Sequence, residues 1–272
     1  MLLVTALVAF VLAVRVEAQF RQRRGGGGFR GFGNVSLAKP ADFDGSWHFC
    51  RAWFRSDPRG DGGNWSVDYP RADLNLSVRL SELTKTNVSF TNGEPNPLLI
   101  RFTDDELFDC PFVMMTEVGS AFFDNDEAMR MREYMLKGGF IWADDFWGSY
   151  AWEWWTGQLS KVFPPNEYPI VDLPSNHPLF SAQFVIKKVP QIASINFWAG
   201  SGGGTSERGE DSAEAHARAI LDKHGNIMML MTHNTDLGDS FEREADDPQY
   251  FYQMSVPGYA FGINVLLYGL TH

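Results

Sequence analysis

The chain has 272 residues, 44% of them apolar, with nine tryptophans, enough for a large packed core. Its formal charge is −11, yet residues 1–33 carry five arginines against Glu17 alone, which leaves −15 on the remainder. So acidic a body excludes nucleic acid as a partner, because contact with a phosphate backbone needs a basic footprint.

Leu2 to Val14 is an apolar run of signal-peptide length, too short to span a bilayer as a helix. Val16-Glu17-Ala18 offers small residues at positions −3 and −1 of a cleavage before Gln19, so residues 1–18 are expected to be a signal peptide. No Lys or Arg precedes the run, and the alternative is an uncleaved N-terminal anchor. Both readings place the protein outside the cytoplasm, periplasmic or extracellular, with membrane contact only through this segment. Residues 19–45, which include FRQRRGGGGFRGFGN, read as an Arg/Gly-rich flexible linker. A single domain is expected over 46–272.

That domain opens with an aromatic strand, Trp47 to Phe54, and a Gly/Asp turn region, Asp57 to Gly63. Asp68-Tyr69-Pro70 then starts a helix, with Asp68 as its cap and Leu76, Leu80 and Leu83 on one face. Strands follow at Leu98–Phe102 and Phe112–Met115. Asp124 caps a helix running to Lys137, acidic at its start and basic at its end as the helix dipole prefers. Phe140–Ala143 is a strand, and Gly148–Val162 a Trp-rich helix stopped by Pro164-Pro165. Further strands are expected at Ile170–Leu173 and Phe184–Val189. A glycine-rich loop over Ala199–Gly204, readable as a lid, precedes a hairpin of Ala217–Asp222 and Ile227–Met231. A helix pair from about Asp247 to Leu270, broken at Pro257-Gly258, closes the chain. Alternating strands and helices predict an α/β fold: a doubly wound, mostly parallel sheet flanked by helices, with a C-terminal helix pair. Cys50 and Cys110, far apart in the chain and set in apolar surroundings, read as two buried free thiols, a disulfide being the alternative.

Several stretches, taken in order and spacing, carry a resemblance. They are Asp68-Tyr69-Pro70-Arg71-Ala72-Asp73-Leu74-Asn75, Leu107-Phe108 with Pro111-Phe112, Gly138-Gly139-Phe140 with Asp144-Asp145, Asn176-His177-Pro178-Leu179-Phe180, Thr232-His233-Asn234-Thr235-Asp236, and Gly262-Ile263-Asn264-Val265. Over residues 46–271 the chain resembles domain of unknown function 4159, a bacterial family. That family is similar to the class I glutamine amidotransferase-like (flavodoxin-like) fold. The resemblance implies a nucleophilic cysteine on a strand-to-helix turn and a His-x-Glu after a late strand. Here the turn carries Asp144-Asp145 and the late strand is followed by His233-x-x-Asp236, a departure that argues against glutaminase activity.

Asp144 and Asp145 have three readings: a carboxylate pair for acid–base work, hard metal ligands, or a cap on the following helix. His233 and Asp236 follow a strand at the edge where such sheets bind ligands, and read as a base with its orienting acid, with His233 as a metal ligand, or as a hydrogen-bonded loop. His177 and Asn234 are ligand-binding candidates from their loops. Trp147 is one on account of its aromatic face, although Trp147, Trp154 and Trp155 share a side as core residues do. No metal motif and no cofactor motif stands out, so neither is expected. The first functional expectation is therefore a non-catalytic exported domain that binds an envelope protein or polysaccharide. The alternative is a hydrolase on a small or saccharide-like substrate, using Asp144 or Asp145 with His233 and Asp236.

Overall fold

The computed structural model describes residues 37–272; the expected signal peptide and the Arg/Gly tract through residue 36 lie outside the described residues. Within them, the central sheet has seven strands: β1 (Cys50–Ala52), β2 (Leu98–Ile100), β3 (Phe112–Thr116), β4 (Phe140–Asp144), β5 (Ile170–Asp172), β6 (His216–Leu221) and β7 (Ile227–His233). Their order is β2-β1-β3-β4-β7-β6-β5. The pairings from β2 through β7 are parallel, and β6 and β5 continue antiparallel.

Strands β3 and β4 are buried at every position, as parallel strands covered on both faces must be. Alternation divides their side chains between two cores. Val113, Met115, Ile141 and Ala143 face one side, beneath α2 (Asn125–Leu136) and α3 (Gly148–Val162). Phe112, Met114, Phe140 and Trp142 face the other. There they meet α1 (Arg71–Leu83), α5 (Leu237–Glu242) and α6 (Val256–Thr271), while the short α4 (Ile195–Ser201) adds Trp198. The doubly wound, mostly parallel sheet is thus as expected. The capping box that starts α2, Asp124 with Glu127, is also present.

Several local expectations are corrected. Cys50 and Cys110 form a disulfide, with Cα atoms 6.1 Å apart. They meet because β1 and β3 are sheet neighbours, an adjacency invisible at a separation of 60 residues. No strand forms over 184–189. Instead the Asn264 side chain takes the partner role a strand neighbour would have, accepting from Gln183 N (2.9 Å) and Phe184 N (2.8 Å) and donating to Phe184 O (2.7 Å). The Gly202-Gly203 pair ends α4, with Gly202 left-handed at φ 72° and Gly203 N donating to Trp198 O, so these glycines close a helix rather than form a lid. Pro257 does not break the last helix. It sits in the first turn of α6, where its missing N–H is harmless, and a π-helical stretch, Phe251–Ser255, leads into it. Structure also extends upstream of Ser46, since Ala38 N donates to Leu99 O at 2.8 Å.

One buried ion pair ties this frame together. Arg51 on β1 and Asp73 on α1 have fully buried side chains, and Arg51 Nε lies 2.9 and 3.0 Å from the two carboxylate oxygens. Breaking such a pair strands a charge in the interior, so Asp73→Leu should cost about 3–5 kcal/mol, whereas Arg51→Met with Asp73→Leu should recover most of that loss. Urea denaturation of the two variants checks this; equal losses would overturn it.

Candidate functional site

In open α/β sheets ligands gather beyond the carboxyl ends of the strands. Here four adjacent parallel strands each deliver an acid to that edge. Asp68 lies in the segment between β1 and α1, Glu117 directly follows β3, Asp145 directly follows β4, and Asp236 comes shortly after β7. With Glu207 from a loop and Asp239 and Glu242 from α5, they line a cleft of about 430 Å³ that also contains Tyr69, Trp147, Arg208 and Arg243. Seven carboxylates therefore face two arginines.

The backbone turns sharply to present three of these acids. Asp68, Glu117 and Asp145 all have left-handed φ, at 63°, 54° and 56°. For residues with a Cβ this conformation costs on the order of 1 kcal/mol or more each, and such strain concentrates at functional sites. A glycine completes the arrangement: a Cβ on Gly238 would overlap Asp68 Oδ2, so a larger residue there would push that carboxylate out of place.

Within the cleft, one oxygen from each of Asp68, Asp145 and Asp236 lies within 4.8 Å of the others, and all three residues are buried. Asp145 Oδ1 accepts from Trp147 Nε1 at 3.0 Å, and Asp236 Oδ1 accepts from Asp239 N at 2.7 Å. Asp68, only 7% exposed, has no hydrogen-bond partner for Oδ2 among the described residues. Neither arginine neutralises the trio. Arg208 pairs with Asp61 at 3.1 Å, and Arg243 with Glu242 (2.8 Å) and Asp239 (3.3 Å). Burial first, and then repulsion from neighbouring acids (Asp239 and Glu242 on Asp68, Glu117 and Asp68 on Asp145, Asp145 and Asp68 on Asp236), push these three carboxyls well above the usual range. Burial likewise pushes Glu117 up to about 7.

Of the residues singled out from sequence, Asp145, Asp236 and Trp147 line this cleft. Asp144 lies behind it, fully buried, accepting from the Thr232 hydroxyl and from Gly238 N at 3.1 Å. It thus serves the start of α5 rather than of α3. Burial pushes it up to about 7 against these bonds. The start of α3 is held by Asn234, whose side-chain oxygen accepts from Gly148 N at 2.8 Å, and by Asp211, which accepts from Ser149 N at 2.9 Å. His233 points away from the carboxylates. Arg218 NH1 lies 2.9 Å from its Nδ1 and Gly148 O lies 3.0 Å from its Nε2, which makes the ring a neutral Nε2–H tautomer between Phe146 and Trp152. Burial holds it down to about 4. His177 caps a short 3₁₀ turn through Nδ1, accepting from Leu179 N at 3.3 Å. Asp68, expected as a cap, makes no side-chain cap on α1, which begins after the cis Tyr69–Pro70 bond.

Sequence reasoning missed five of the seven acids: Asp68, Glu117, Glu207, Asp239 and Glu242. Glu117 carried one signal, its place immediately after an apolar strand. A larger hollow of about 600 Å³, near Tyr168, His224 and Tyr268, opens at the amino ends of β4 and β7, away from these acids.

The chain belongs to the family described as Domain of unknown function (DUF4159), whose model matches residues 55–270. Every acid of the cleft lies inside that span. No match was found among curated proteins.

The buried acids set an unusual pH response. Glu117 and Asp144 bind protons more tightly folded than unfolded, so their contribution is complete below about pH 4 and is lost as pH rises through about 7. His233 acts oppositely, its contribution being present above about 6.5 and lost as pH falls toward 4. Above about pH 6.5 only the acids still titrate, and the melting temperature of chelator-treated protein should fall between about pH 6.5 and 8. A midpoint that rises over this range in a calorimetric series would contradict the burial of these carboxylates.

Proposed function

We propose that the cleft binds a hard divalent cation of the Ca²⁺, Mg²⁺ or Mn²⁺ class through Asp68, Asp145 and Asp236. Through that ion the domain binds an oxygen-rich envelope partner, a polysaccharide or a protein surface. The observation that carries this reading is Asp68, whose Oδ2 is buried without a partner and of which one carboxylate oxygen lies within 4.8 Å of oxygens from two further carboxylates. A buried carboxylate set of this kind is held neutral by protons or compensated by a cation, and oxygen ligands at converging positions suit hard cations. Tyr69, partly exposed at the cleft, offers aromatic surface beside the ion position, while Trp147 is buried there. Export is part of the proposal. It is supported by the Cys50–Cys110 disulfide, a bond that persists in oxidising compartments, and by the expected N-terminal signal.

A hydrolytic reading has one observation in its favour: Glu117, pushed up to about 7, lines the same cleft. Near a cation-bound water such a group is suited to proton transfer. On this reading the chemistry rests on Asp145 and Asp236 with Glu117, and His233 has no part in it. The two readings separate on Glu117→Gln, which should leave polysaccharide retention intact under the first and abolish release of reducing ends under the second.

Calorimetric titration of the chelator-treated full chain with Mn²⁺, with Ca²⁺ and Mg²⁺ as competitors, tests the site. Wild type should bind, and saturation should raise the melting temperature by about 5 °C or more. Asp145→Asn and Asp68→Asn should each weaken binding by about a hundredfold or more, since even groups that only support metal ligands are worth about 10–100-fold. Absence of heat and of thermal shift with all three ions would overturn the proposal.

A further inference from the structure

Asp68 faces two sets of acids at once. Besides Asp145 and Asp236, a ligand oxygen of Asp68 lies within 4.8 Å of oxygens from Asp239 and Glu242. Those two residues stand three apart on α5, so their side chains share one face of the helix. The group ion-paired with both is Arg243, whose Nε lies 2.8 Å from Glu242 and 3.3 Å from Asp239, while Arg71 acts on Glu242 at longer range.

We infer that the cleft has a second cation position, formed by Asp68, Asp239 and Glu242, which the Arg243 guanidinium holds until a second ion displaces it. This rests on the cation reading of the first position. Asp68, 7% exposed and with one oxygen uncommitted, is common to both positions and is the residue that joins them. Arg243 is suited to the role of a tethered substitute. Its side chain is about one third exposed, and Asp246 lies 3.5 Å from NH1, ready to receive it when it leaves. Asp239 does not depend on Arg243 for its placement, because Ile195 N donates to its Oδ2 at 2.6 Å. Filling is therefore ordered. The first ion meets three acids that have no ion pair of their own, Arg51 acting on Asp68 only at a distance, and the second must displace an ion pair.

Two ions that share a carboxylate sit about 4 Å apart, and the second also suffers repulsion from the first. The second binding step of the wild-type protein is accordingly the weaker one, and high ionic strength, which loosens the Arg243 pairs, should narrow the gap between the two.

Titration of the full chain with Mn²⁺ tests the inference by stoichiometry. Wild type should show one tight and one weak site. Arg243→Gln should tighten the weak site by about tenfold, the equivalent of about 1.4 kcal/mol, and leave the tight one within about twofold. Glu242→Gln, which retains Arg243, should reduce saturation from two ions to one and leave the tight site unchanged. A wild-type protein that binds no Mn²⁺ overturns the first position and this one together. A single ion in both wild type and Arg243→Gln overturns the second position alone. If Arg243→Gln does not fold, as judged by circular dichroism, the Glu242→Gln result decides: retention of two ions refutes the inference.

Discussion

Arg51 is a cation buried among strands, and the geometry of the cleft follows from where its donors go. It stands on β1, next to the sheet's most enclosed strands, and cannot remain charged there without partners. Asp73 on α1 supplies the charge, and the carbonyls of Trp65 and Val67, 3.4 and 3.3 Å from NH1, supply further acceptors. One side chain thus fastens the first turn of α1 and the end of the loop before it to the sheet. Asp68 is the next residue in that loop. Its left-handed backbone and its unpartnered oxygen are held in place by a bond network that involves neither.

The same edge of the sheet separates two kinds of buried acid. Asp73 and Asp144 are consumed by the fold, one by a guanidinium and the other by a hydroxyl and helix amides. Asp68, Asp145 and Asp236 are as deeply placed but under-served, and they face one another. Burial alone does not distinguish these groups; the count of donors does. That distinction also removes His233, whose two nitrogens are both engaged and whose ring is enclosed by Phe146 and Trp152.

Local signals carried the fold well. Asp124 with Glu127, the apolar run at Phe140–Ala143 and the Trp-rich helix from Gly148 each announce themselves within a few residues, because caps and periodicity are short-range physics. Asp145 and Asp236 were legible for the same reason, as acids following strands. What could not be read depends on contacts made across the chain. The disulfide needs the β1–β3 adjacency, the 184–189 loop needs Asn264 from the last helix, and the turn of Asp144 toward α5 needs Thr232 on β7. Asp68 was hidden by a competing local reading, since an acid two residues before a proline is a credible cap. Its real neighbours, Asp239 and Glu242, arrive from the far end of the sequence.

The order of the strands has a consequence for how the chain comes to maturity. Four parallel neighbours contribute one acid each, and the strand that brings Asp236 is the last to be synthesised although it lies inside the sheet. Until it pairs with β4, the cleft lacks one wall, Asp144 lacks two of its donors, and β6 and β5 have no strand joining them to the parallel part of the sheet. Pairing of this kind closes long loops and is slow compared with helix formation. The acidic cleft is therefore complete only once β7 is paired, and a chain truncated before β7 would keep the four parallel strands β2, β1, β3 and β4 without the site.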